Sequence, residues 1–277
     1  ARRVIYLLLG LLIAIPYIQP LGIPVALSQT TRDFYNTVDS LPQGSVVVFS
    51  IDIGLGTLPE LGPAAIAVLQ HLLNLPVKLI ITGATSSLPV VWQNILTTGN
   101  LDFHNRKYGE DWVNIGFYTG GEAGVAALAS NMHLTVVDIN GTPLEKIPVM
   151  KNVKTARDVA VIITVEGGNQ TEFIMRQWQG PYGTKVGGVE SAVNTALLLT
   201  YYVSGKLFGI VNSLRGGAEY ELLIRKPGKG VTGTDMLSMS HLFEIGLIIA
   251  GNAVFLYDRY VGSRKREAKA VAGGGEK

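Results

Sequence analysis

Five short stretches of this chain follow apolar, β-rich runs: Asp52-Ile-Gly54, Thr82-Gly83, Tyr118-Thr-Gly-Gly-Glu122, Glu166-Gly-Gly168 and Glu190-Ser191. If the runs are parallel strands, these stretches share one rim, because parallel sheets put ligand sites beyond the carboxyl ends of their strands. The carboxylates Asp52, Glu122, Glu166 and Glu190 are of a type that binds a cation or exchanges protons. Gly54, Gly120, Gly121, Gly167 and Gly168 let a ligand approach the backbone, and helix N-termini beside them favour an anion. The same residues also have a purely structural use, since acids cap helix N-termini and glycines make tight turns. Both uses stay open from the sequence, and no catalytic residue is assigned.

Other motifs carry less. Gly228-Lys-Gly-Val-Thr-Gly233 spells a dinucleotide fingerprint, but that loop needs a strand before it and a helix after it. Here it follows Arg225-Lys226-Pro227 and reads as a flexible linker. Tyr108-Gly-Glu-Asp-Trp112 precedes a β-rich run, so Glu110 and Asp111 are expected at the opposite edge of the sheet. His71, His104, His133 and His241 are scattered without metal-ligand spacing, so neither a metal nor a cofactor is expected. The chain has no cysteine, which excludes disulfides and thiol nucleophiles.

The elements that must position the rim alternate along the chain. Runs at 46–52, 78–83, 112–117, 158–165 and 185–189 have strand composition without polar alternation, as strands buried on both faces do. Helical periodicity falls at 59–75, 88–96, 122–132, 171–178 and 191–203. Residues 134–139 suit an edge strand or hairpin arm. Residues 207–224 read as partly helical, broken at Gly216-Gly217. Strands alternating with helices predict an α/β domain with a doubly wound, mostly parallel sheet.

Apolar segments flank that domain. Residues 4–27 are long enough to cross a bilayer, which takes about 20 apolar residues, with Pro16, Pro20 and Pro24 toward one interface; a signal peptide is the competing reading. The expected layout is an N-terminal anchor over 1–28, a stalk helix over 29–43, the α/β domain over 44–224 and a linker over 225–238. A second transmembrane helix over 239–260 and a basic, disordered tail over 261–277 complete it. In the second span, Glu244 and Asn252 share a helix face, and Gly246 with Ala250 forms a small-xxx-small pair that permits close helix contact. Hydrophobic residues make up 47% of the chain and its mean hydropathy is +0.30. The net charge is +2, but residues 29–238 hold 15 Lys+Arg against 17 Asp+Glu. The basic pI therefore comes from the ends and points away from nucleic acid. Arg2 and Arg3 at one end and Arg259, Arg264, Lys265 and Arg266 at the other predict both termini in the cytoplasm and the domain outside. The candidate glycan acceptors Asn140 and Asn169 are compatible with that orientation.

Three stretches carry a resemblance: 108–116 running into Gly120-Gly-Glu-Ala123, Tyr182-Gly-Thr-Lys-Val-Gly-Gly-Val-Glu-Ser191, and Ser204-Gly-Lys-Leu continuing to Leu214-Arg-Gly-Gly-Ala-Glu-Tyr-Glu221. Through them the chain resembles an uncharacterised family of prokaryotic membrane-anchored proteins. The resemblance implies a Rossmann-like domain between two terminal spans and carries no activity. The expected role is a non-catalytic structural or interaction subunit of an oligomeric envelope complex. Its partners would be membrane lipids and either further copies of the chain or other membrane-protein subunits. The alternatives are a ligand-binding module at the rim, or a membrane-tethered hydrolase using the same acids.

Overall fold

The computed structural model describes residues 2–103 and 105–273, with side chains through Val261. The chain divides into two compact units, Ile23–Val231 and the two ends, Ala1–Gly22 with Thr232–Lys277.

The central unit is a doubly wound α/β domain with one six-stranded, wholly parallel sheet. The strands are β1 (Val46–Asp52), β2 (Lys78–Gly83), β3 (Trp112–Phe117), β4 (Val161–Glu166), β5 (Lys185–Glu190) and β6 (Leu207–Asn212). Their order is β3-β2-β1-β4-β5-β6, the order of a Rossmann-like fold. On one face α2 (Gln29–Asp39), α3 (Leu58–Asn74), α4 (Leu88–Gly99) and α9 (Ser213–Leu223) share a core with Phe49, Ile51 and Ile163. On the other lie α5 (Gly121–Ser130), α6 (Gln170–Ile174), a π-helical turn Met175–Gln179, α7 (Gly180–Tyr182) and α8 (Ala192–Val203), packed on Val48, Ile80 and Ile162. Strands apolar on both sides are what a sheet covered on both faces requires.

Several expectations are corrected. Residues 207–224 are helical in part, as α9, but 207–212 form the edge strand β6; a six-residue apolar run has no period that separates strand from helix. The Gly216-Gly217 pair does not break α9. A Cβ on Gly217 would lie 2.9 Å from the Ala64 nitrogen, so the glycine lets α9 close on α3. The stalk helix is not a stalk: α2 begins at the N-cap Ser28 and lies on β6, with Phe34 and Val38 fully buried. Gly209 permits this, because a Cβ there would sit 2.5 Å from the Phe34 backbone. Residues 134–139 form no strand; Val137 makes one isolated bridge, to Pro143.

At the ends, α1 covers Arg2–Ile18 and residues 19–28 are not helical. Seventeen residues of helix reach about 25 Å, short of a ~30 Å hydrocarbon core. Among the described residues one helix, not two, is long and apolar enough to cross a membrane: Lys229–Val261, with a mean hydropathy of 1.6 and no part of its apolar window buried. It belongs to α10 (Lys229–Gly273). The expected linker is therefore helical from Lys229 onward, and the tail expected to be disordered is helical as far as Gly273; residues 274–277 lie outside the described residues. Within the unit formed by the ends, the Asp235 carboxylate accepts the Leu21 and Gly22 N–H groups at 2.8 and 2.9 Å.

Candidate functional site

Parallel register lines up the strand tips. Asp52 pairs with Glu166, Glu166 with Glu190, and Glu190 with Asn212. Residues in register on parallel strands point to the same side, and neighbouring strands lie about 4.8 Å apart. Three carboxyl groups thus stand in a row across β1, β4 and β5. Between β1 and β4 the strand order reverses, with α3 leaving toward one face and α6 toward the other, and this opens a crevice. It is an open cleft of about 370 Å³, floored by Asp52 and Glu166 and lined by Gly54, Gly121, Gly167 and Gly168.

Each acid in the row is held from within the domain. Asp52 accepts the Ser50 hydroxyl at 2.6 Å and the Ala84 N–H. Burial, with the Glu166 charge adding to it, pushes its pKa up to about 6 against the hydrogen bonds from Ser50 and Ala84. Glu166, 2% exposed, caps α6: its carboxylate accepts the Gly168, Gln170 and Thr171 N–H groups at 2.7, 3.1 and 3.2 Å. Glu190 is fully buried. Its Oε1 meets the Thr171 hydroxyl at 2.6 Å and the Thr164 hydroxyl at 3.3 Å. Burial first, and the Glu166 charge second, hold its carboxyl well above the usual range. Gly188 makes the room, since a Cβ there would fall 2.4 Å from Glu190 Oε1. The Asn194 amide ties the row together, donating to Glu166 at 3.2 Å, to Glu190 at 3.3 Å and to the Gly168 carbonyl. The sequence does not single out Asn194 and Asn212. The helix-start position of Asn194, three residues after Ser191, was the available signal.

The remaining predicted residues divide. Glu122 starts α5 but turns to Arg176, which donates to it twice, at 2.8 and 2.9 Å. That guanidinium, with Gln177, holds the Glu122 pKa down to about 2. Gly120 and Gly121 have φ of 106° and 55°, backbone that favours glycine. Asn169 is exposed at the start of α6, on the cleft rim, and Asn140 is exposed in the turn after Asp138. Glu244, Gly246, Ala250 and Asn252 lie exposed along α10, and Asn252 donates to the Ile248 carbonyl at 2.8 Å within that helix.

The Gly228–Gly233 motif does open a helix, contrary to its reading as a linker, yet no strand precedes it. The anion at that helix start is the chain's own: the Glu221 carboxylate accepts the Gly228, Gly230 and Val231 N–H groups, each at 2.8 Å. Asp111 binds Lys78 at 2.9 Å and Glu110 meets Lys107 at 3.5 Å. Buried His71 meets the Tyr220 hydroxyl at 2.9 Å and Asp39 at 3.2 Å, and His104 lies outside the described residues. Among the described residues no group of three His, Cys, Asp or Glu is placed to hold a metal ion.

These features define a doubly wound, Rossmann-like α/β protein with, among the described residues, one helix long and apolar enough to cross a membrane. No family model matches the chain, and no curated protein matches its sequence. A solved structure described as "crystal structure of AibC" is similar over 82% of this chain and 55% of that one, at 10% identity and a TM-score of 0.32. The chain thus spans about half the length of that protein. A likeness that distant carries no inference about activity.

Proposed function

We propose that this chain is a membrane-attached interaction subunit of an oligomeric cell-envelope complex, without catalysis of its own. The observation that carries the reading is that the rim carboxylates are spent on the fold. Glu166 caps α6, Glu190 is bound by Thr171 and Asn194, Asp52 by Ser50 and Ala84, and Glu122 by Arg176. An acid serving a reaction would keep an oxygen for the reacting group. The exposed, apolar α10 supports assembly within the membrane: Gly246 has open space around it, as close helix contact requires. In this reading residues 4–27 make a second crossing, α1 supplying about 25 Å of it and the non-helical residues 19–27 the rest; both termini face the cytoplasm, and the domain is extracytoplasmic.

A second reading is a ligand-binding module, favoured by the open cleft at the strand-order switch. Its floor is acidic and no Lys or Arg lines it, so its ligand would be neutral or cationic and not a phosphate.

The test is the mass of the full chain gently solubilised from its membrane, beside Glu244→Leu and Gly246→Leu. A large defined assembly, reduced in the variants while the domain keeps its circular dichroism, is expected. A monomer in the unaltered chain overturns assembly and leaves the cleft as the reading to pursue.

A further inference from the structure

Among the described residues, three buried side-chain polar atoms have no hydrogen-bond partner: Asn114 Nδ2, Thr135 Oγ1 and Thr234 Oγ1. Buried polar groups are nearly always paired, so each unpaired one requires a reason. Two of the three, Asn114 and Thr135, line the same recess of about 520 Å³, beside the outer edge of β3, which lies two strands from β1 and so apart from the β1–β4 cleft.

Asn114 is 1% exposed, and its orientation is fixed because its Oδ1 accepts the Gly116 N–H at 2.9 Å. Its amide nitrogen is therefore the end left over. The 135–139 loop forms the opposite wall, and within it Val136 holds φ of 62°, a left-handed conformation that is strained for a β-branched residue. Trp92 and Pro89 of α4, with Phe117, Val137 and Ile139, make the remaining walls mostly apolar. The volume falls within the range of small-molecule sites.

Charge narrows the occupant. No Lys or Arg lines the recess. Its one acid, Asp138, already accepts the Tyr108 hydroxyl at 2.7 Å and the Asn140 and Thr142 N–H groups at 3.0 and 2.7 Å. An anion would meet that carboxylate, and a cation would find its oxygens taken. Nor is this edge a template for an added strand. Trp112 O accepts from Gly109 N–H, Asn114 O from Ile139 N–H, and the Gly116 N–H is held by Asn114 itself.

We propose that this recess binds a small, neutral, largely apolar molecule that offers a hydrogen-bond acceptor to Asn114 Nδ2 and a polar group to Thr135 Oγ1. The 135–139 loop shifts to admit it, since both atoms are otherwise shielded.

The three tryptophans, Trp92, Trp112 and Trp178, supply the readout. The full chain is labelled with 5-fluorotryptophan, placed in lipid nanodiscs, and titrated with benzamide, a neutral planar carbonyl compound, while fluorine resonances are followed. Benzamide should shift the Trp92 resonance saturably and leave Trp178, buried on the other face of the sheet, unmoved. Benzoate and benzylammonium should bind much more weakly. Thr135→Val keeps the side-chain shape and removes only the unpaired hydroxyl, so it should fold normally and bind benzamide about fivefold more weakly. Asn114→Leu should weaken it at least as much. No saturable shift at Trp92, equal binding of the charged probes, or unchanged affinity in Thr135→Val overturns the proposal.

Discussion

At the scale of single residues, the fold makes Asp52 and Glu190 hard to ionise. A carboxyl deprived of water and placed one strand away from another carboxylate keeps its proton to higher pH. For Asp52 the folded pKa of about 6 stands above its ordinary 3.8, so between those values the folded chain binds more protons than the unfolded one. The contribution of this group is fully present below pH ~4 and is lost as pH rises through ~6. Asp52→Asn should remove that loss, since Asn can still accept the Ala84 N–H and donate to the Ser50 hydroxyl. The variant should be more stable than the parent at pH 7 by about 3 kcal/mol, and the gap should close near pH 4 in denaturant titrations. A gap independent of pH would mean that Asp52 is ionised in the folded chain throughout. The row of acids was visible in the sequence because each closes an apolar run. Its cross-links were not: Asn194 reaches Glu166 and Glu190 because α8 begins just beyond the tip of β5, beside the neighbouring tip of β4.

At the scale of elements, α2 is the largest departure from expectation. Phe34 and Val38 within it and Leu41 just past its end recur at helical spacing, which identifies the helix but not what it packs against. Its partner is 170 or so residues away, on an edge strand whose own sequence was ambiguous. Phe34 lies 5.1 Å from the Phe208 ring and 5.7 Å from the Tyr220 ring. Phe34→Ala should therefore cost about 3–5 kcal/mol, as in a core position, whereas a detached stalk would tolerate it. Chemical denaturation of the full chain separates the two outcomes. The glycines of β6 and α9 carry the same lesson. In sequence they look like breaks, and in the fold they are contact points where a single methyl group would push α2 off β6 or α9 off α3.

At the scale of the whole molecule, the proposed topology puts the domain outside the membrane and both termini inside. The absence of cysteine makes this directly measurable. Ser204→Cys falls in the exposed turn after α8, and Arg3→Cys reports on the N-terminus. With the domain outside, a membrane-impermeant maleimide added to intact cells should label the first and not the second; the reverse pattern would invert the topology. The positive ends predict the first result.

What the sequence determined by itself is local or repetitive. It contains the alternation of β-rich and helical runs that specifies a doubly wound parallel sheet, the acids closing three of its strands, and an apolar helix before a basic end. These are properties of neighbouring residues, and periodicity records them. Tertiary structure alone decided the strand order, the sixth strand, the burial of α2 and the use of Glu221 as the anion at the start of α10. It alone left Asn114 Nδ2 and Thr135 Oγ1 without partners beside one recess. Each of these depends on distant segments meeting, and on whether a side chain finds there a partner, a clash or an empty space.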